Sequence, residues 1–226
     1  MDLNAIFEEC KFNVEQMKYY DPDPFYVHRF LIGFLNLVDR IIEEILVEAN
    51  RDFGLFLKDR ITLEKFEERA KQKEETMAIN FAKWFKNNYE EEHCLPYPKL
   101  INQARKFLKN HDTLPFPTIK LISKSRYDED PSHPIPVRLK DGKIISKEDL
   151  DLSVNRYSKF FLNLINSKRI NNGEPTVAKN DVIPAAFLTI DRQEFEIAFS
   201  CQLYLSTLRD LISDSKTKIR KSLSRN

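Results

Sequence analysis

The run from Pro24 to Ala49 restricts the folding of this chain more than any other stretch. Its apolar residues Val27, Leu31, Phe34, Val38, Ile41 and Ile45 recur at spacings of four and three, which lines one face of a long helix. Phe30, Leu37 and Ile42 widen that face, so the helix must lie against more than one neighbour. The entry to it, "YYDPDPFY", is a break in which Asp23 can cap the first turn and Pro24 can occupy the first helical position. A wide apolar helix of this kind requires other helices around it, and the remaining sequence offers them.

Residues 3–19 read as a short helix and residues 62–89 as a second long one, with Phe66, Ala70, Met77, Phe81, Trp84 and Phe85 on its apolar side. Thr62 is followed three positions later by Lys65, so there is no capping box, although its hydroxyl can still cap. After "CLPYPK" a shorter helix carries Leu100, Ala104, Phe107 and Leu108 and ends near His111. Seven of the 11 prolines fall between Pro96 and Pro136, so residues 112–146 form a proline-rich, mostly non-helical excursion. Within it, "VRLKDGKII" predicts a β-hairpin turning at Asp141-Gly142. A helix opening at Ser146 carries Leu152, Tyr157, Phe160, Phe161 and Leu164. The last segment begins either with a brief extended piece or directly as helix, and a final helix spans about residues 193–219. The basic tail from Ser215 reads as a frayed, solubilising end. The expected fold is mostly α: a single helical domain over residues 1–226, with a bundle of about five or six helices and a small β-hairpin insertion.

Composition removes several function classes. Lys plus Arg number 36 against 35 Asp plus Glu, so no overall field favours nucleic acid or anionic lipid. Three widely spaced cysteines without a CxxC pair argue against a disulfide framework or thiolate metal site. Four glycines, none in a phosphate-cradling pattern, argue against dinucleotide and P-loop folds. His28, His93, His111 and His133 are too dispersed for a ligand set, and the acids Asp128, Glu129 and Asp130 lack the alternating spacing of a calcium loop. The reading therefore includes no metal and no cofactor. An acidic N-terminal stretch and the lack of a long uncharged apolar run point to a cytoplasmic protein without membrane association.

Two sets of polar residues remain as site candidates. On the long helix, Arg29, Asn36 and Arg40 recur on one side with Gly33 between them, and His28 lies at the border. That side is either a solvated stripe or a surface facing an anion or partner, with Gly33 permitting close approach. The second set is Arg105 and His111. On an unbroken helix the two stand about 9 Å apart along the axis and roughly 120° around it, so one tight site needs the helix to end between them or a second protomer to complete it. Arginine can hold a phosphate and histidine can move a proton near neutral pH.

The stretch "RKFLKNH", residues 105–111, resembles the motif of HEPN domains, in which an arginine is followed after a variable spacer by a histidine. "FYVHRFLIGFLNLVDRII", residues 25–42, resembles the long helix of such proteins, and the resemblance covers roughly residues 25–112. It implies a helical bundle that dimerises. In catalytic branches it also implies a metal-independent endoribonuclease or nucleotide-binding protein, with Arg105 on phosphate, His111 transferring protons, and the site formed at a dimer interface. Lys106 stands where many catalytic members carry a polar residue, frequently Asn, after the arginine. The leading expectation is a self-associating helical interaction module, a homodimer; RNA or a nucleotide is the partner under the alternative reading.

Overall fold

The computed structural model describes residues 2–90, 96–123, 156–178 and 182–223. Among them are seven α-helices: α1 Leu3–Tyr20, α2 Pro24–Asp52, α3 Leu63–Gln72, α4 Thr76–Phe85, α5 Pro96–His111, α6 Arg156–Asn171 and α7 Ile197–Leu223. A π-helical turn, Lys86–Glu90, extends α4. Three strands, β1 Thr118–Ser123, β2 Val182–Ile190 and β3 Gln193–Glu196, form an antiparallel sheet in the order β1-β2-β3. The mostly helical class with a small β element is thus as expected. The hairpin around Asp141-Gly142, the helix start at Ser146, the acids Asp128 to Asp130, His93 and His133 lie outside the described residues.

Helix α2 opens as its sequence dictates. The Asp23 carboxylate accepts from the Phe25 N–H at 3.0 Å, and Pro24 occupies the first turn, where its missing N–H costs nothing. Val27, Leu31, Phe34, Val38, Ile41 and Ile45 are all buried, and so are Leu35, Leu37 and Leu46, which makes α2 apolar over most of its circumference. It lies along α1 and is crossed by α7, which also packs on α1, α4 and α5. Tyr204 of α7 is fully buried and meets Phe34 edge-on, with ring centroids 6.2 Å apart. At Gly33 a Cβ would stand 2.8 Å from Asn13 Oδ1. The close approach permitted by that glycine is therefore taken by α1 of the same chain, which corrects the expectation that it faces a ligand or partner.

The expected single helix over residues 62–89 is two helices. Thr62 does cap α3, its hydroxyl accepting from the Lys65 N–H at 3.4 Å. At the other end the Glu75 N–H donates to the Ala70 carbonyl and the Glu74 N–H to the Lys71 carbonyl, a Schellman closure with Glu74 at φ 55°. Gly54 and Gly173 hold the same position after α2 and α6, with φ 61° and 74°. A glutamate gives no sequence signal for this turn, because a left-handed conformation is costly for a residue with a Cβ. The break lets Phe66 of α3 and Phe81 of α4 pack against each other across it, their rings tilted by 58° with centroids 5.8 Å apart.

The final helix also begins later than residue 193. Asp191 and Arg192 have φ 50° and 66°, the pair of positive values that a tight two-residue hairpin requires, and they join β2 to β3 before α7 starts at Ile197. Beyond Ser215 the chain does not fray at once. Ser215 and Ile219 are buried, and the helix continues to Leu223 because its inward side still has neighbours.

The sheet packs on the bundle through Ala186, Leu188, Ile190 and Phe195, and one buried carboxylate adds a hydrogen bond to that contact. Strand β3 pairs with β2 from Phe187 to Ile190, and β1 covers the other edge of β2. Just beyond the end of β3, the Ala186 N–H donates to Asp21 Oδ1 at 2.9 Å, so a side chain from the α1–α2 turn stands where a further β3 residue would pair. Burial, and then Glu196, push the Asp21 carboxyl well above its usual range, against the opposing effect of the Ala186 N–H.

Two predictions follow from this architecture. Glu74→Gly relieves the left-handed strain at the end of α3 and is expected to raise stability by about 0.5–1 kcal/mol in urea unfolding. For Asp21 the native state binds the proton more tightly than the unfolded chain, whose carboxyl titrates near about pH 4. Its stabilising contribution is therefore complete below that pH and is lost as pH rises through the higher native value. Asp21→Asn keeps an acceptor for Ala186 and removes this titration, so its stability relative to wild type should increase from acid to neutral pH, read as urea midpoints at each pH.

Candidate functional site

A groove of about 810 Å³ opens between α2, α5 and the segment leading into α3. Its apolar floor comes from Ile32, Ile42 and Leu46 of α2, Ile61 and Leu63 around the α3 start, and Leu108 of α5. Above that floor stand four basic residues, Arg40, Arg60, Arg105 and Lys109, and four acids, Asp39, Glu43, Glu64 and Asp112. The lining is thus electrically balanced, with both signs at short range.

The deepest charges in this wall are Asp39 and Arg105, whose side chains are 14% and 11% exposed. Arg105 Nε and Nη2 donate to Asp39 Oδ1 at 2.8 and 2.5 Å, and Lys109 Nζ reaches the same oxygen at 3.1 Å. Arg105 Nη1 donates to Asn102 Oδ1 at 2.8 Å, and the Tyr204 hydroxyl reaches that oxygen at 3.4 Å. Asn102, Arg105 and Lys109 lie three and four positions apart on α5, which brings them onto one helix face. One carboxylate with two cations forms an ion cluster tying α2 to α5, and the tyrosine extends it to α7. Water reaches this pair poorly, so its charges are screened far less than those of an exposed bridge.

At the groove mouth, Glu43 faces Arg60 at 3.5 Å, an exposed contact of small energetic weight. The Glu64 carboxyl is held below its usual range first by a hydrogen bond from its own backbone N–H, next by the Thr62 hydroxyl, with Lys109 and Lys106 adding attraction. Basic residues of α5 therefore project their field across the groove onto the start of α3.

The residues singled out from the sequence divide. Asn36, Arg40 and Arg105 come together in the groove lining. Arg29 is exposed on the same helix but does not line it. His28 faces elsewhere: its Nε2 lies 3.3 Å from the Leu114 carbonyl oxygen, and its ring sits 5.5 Å from that of Phe116. His111 is exposed, with Nδ1 2.9 Å from the Phe107 carbonyl oxygen and its ring stacked on Phe107 at 4.0 Å. Helix α5 runs without interruption from Pro96 to His111, so it does not end between Arg105 and His111. Within one copy His111 therefore does not reach Arg105.

Sequence reasoning missed Asp39 as a site residue, although it organises the cluster. A sequence separation of 66 between Asp39 and Arg105 leaves no local pattern that links them. Lys109 and Asn102 were accessible in principle, because they repeat on the Arg105 face of α5. Among the described residues no group of three His, Cys, Asp or Glu could hold a metal ion, and no helix is long and apolar enough to cross a membrane. Compared with protein-family models, curated proteins and solved structures, the chain matches none.

The cluster makes a quantitative prediction. Asp39→Ala leaves Arg105 and Lys109 without their shared carboxylate and should cost about 3 kcal/mol in chemical unfolding, whereas Arg105→Ala leaves the carboxylate with Lys109 and should cost less, about 2 kcal/mol. The double variant should cost less than the sum by about 1–3 kcal/mol, because the second change removes a charge that has already lost its main partner.

Proposed function

We propose that this chain is a non-catalytic, self-associating helical module, with the groove between α2, α3 and α5 as its contact surface. The observation that carries the reading is the state of Arg105: its guanidinium is engaged by Asp39 and Asn102 within the groove wall. An arginine held in this way stiffens a binding surface, whereas a phosphate-binding arginine must present its donors to a substrate. The half-buried Ile32, Ile42 and Leu108 supply area whose burial favours association, and the balanced rim supplies orientation.

The HEPN-like ribonuclease reading needs more rearrangement. Arg105 would have to leave Asp39, and His111 would have to come from another protomer while giving up its stacking on Phe107. A rim with equal numbers of acids and bases also offers RNA little net attraction.

Single-stranded RNA incubated with the protein and excess chelator is expected to remain intact, and to do so equally with His111→Ala protein. In sedimentation velocity over a concentration series, the wild-type protein is expected to shift from monomer to larger species. Chelator-resistant cleavage that disappears in His111→Ala protein of unchanged oligomeric state would overturn the module in favour of the ribonuclease.

A further inference from the structure

The sheet has a different neighbour on each face. Ala186, Leu188 and Ile190 of β2 belong to the core of the helical bundle, and strand alternation turns Ala185 and Phe187 the other way. Ala185, Ile122 of β1 and Leu162 of α6 are buried outside that core, and α6 packs against β2. Helix α6 therefore covers the face of the sheet turned away from the bundle, as an outer layer.

The outward side of α6 is an apolar ridge between two cations. Phe160 and Leu164, one turn apart and opposite the buried Leu162, are 60% and 55% exposed. Lys159 and Lys168 border this ridge, roughly 100° to one side of Phe160 and roughly 80° to the other. Both lysines are exposed, and among the described residues neither has an acidic partner. Helix α6 contains no Asp or Glu. The first acid after it, Glu174, is bridged to Arg169 at 3.3 Å, and Glu194 on the same face of the sheet is bridged to Lys120 at 2.6 Å. The uncompensated charge of this layer, among the described residues, is thus positive.

We propose that α6 is a peripheral contact for an anionic lipid surface, with Phe160 and Leu164 entering the headgroup boundary and Lys159 and Lys168 reaching lipid phosphates on either side. A flat, deformable surface meets a convex ridge and both its flanks at once, whereas a protein groove would need acids on both banks. The long apolar stem of lysine lets each ammonium reach the headgroups while its methylenes stay against the ridge. The helix lies along the surface and crosses nothing, in keeping with the lack, among the described residues, of a helix long and apolar enough to span a membrane. Net charge and the want of a long apolar run, from which no membrane association is expected, do not report on one face of one helix. This surface is separate from the groove, whose lining includes no residue of α6.

The test is co-sedimentation with vesicles of phosphatidylcholine and phosphatidylserine in equal parts, set against vesicles of phosphatidylcholine alone. Wild-type protein is expected to pellet with the anionic vesicles, to stay in solution with the neutral ones, and to be released by added salt. Lys159→Gln and Lys168→Gln should each weaken partitioning about fivefold. Leu164→Glu should abolish it, and circular dichroism checks that these exposed substitutions keep wild-type helicity; the lysine variants carry the test should Leu164→Glu lose it. Wild-type protein that stays in solution with both kinds of vesicle overturns the lipid contact and leaves this face to an acidic protein partner. Equal pelleting with both kinds, or pelleting that survives unchanged in well-folded lysine or Leu164→Glu variants, overturns it as well.

Discussion

Everything in this fold depends on the enclosure of α2. A helix apolar around most of its circumference loses the hydrophobic contribution of each side chain left in water, about 1.5–3 kcal/mol for a large aliphatic or aromatic one. Enclosure therefore needs several partners at once, and α1, α5 and α7 supply them. The approach of α1 is close enough that position 33 admits no side chain without displacing Asn13. Helix α7, with Tyr204 wholly buried against Phe34, connects this centre to α4 and α5.

The polar elements are arranged around that requirement. Asp39 sits at the edge of the buried side of α2, where a carboxylate is tolerated only with strong partners, and α5 provides Arg105 and Lys109. The same geometry creates the groove. Because α5 is held to α2 through charged side chains on one side, and the chain enters α3 on the other, an aliphatic strip of α2 between them stays open. Asp21 does for the sheet what Asp39 does for α5, adding a carboxylate's hydrogen bond to the apolar packing that already joins the element to the bundle.

How much of this was legible follows from the range of each interaction. The α2 helix, its Asp23 cap and Pro24 start, and the Thr62 cap are local, and each is readable within a few residues. The break at Glu74 was invisible, because a glutamate in a left-handed position contradicts local preference and is held by the hydrogen bonds to Ala70 and Lys71 and by the packing of α3 on α4, Phe66 against Phe81 included. Strand β1 was hidden inside a proline-rich stretch, since its partner β2 lies about sixty residues later in the chain and supplies the pairing that makes it a strand. At the site, the periodicity of Asn36 and Arg40 was legible, but Arg29 and His28 share that helix without sharing the groove.

The sequence by itself determined that the chain is helical, where its central helix runs, and that neither net charge nor glycine pattern points to nucleic acid or phosphate as a partner. These are properties of composition and of spacing over a turn or two of helix, which physical chemistry converts directly into structure. Only the tertiary structure decided that Arg105 belongs to Asp39, that His111 turns away from it along an unbroken helix, and that Asn36, Arg40 and Glu64 share one groove. The reason is that an ion pair between distant segments is specified by three-dimensional distance and exclusion of water, neither of which leaves a periodic trace along a single chain.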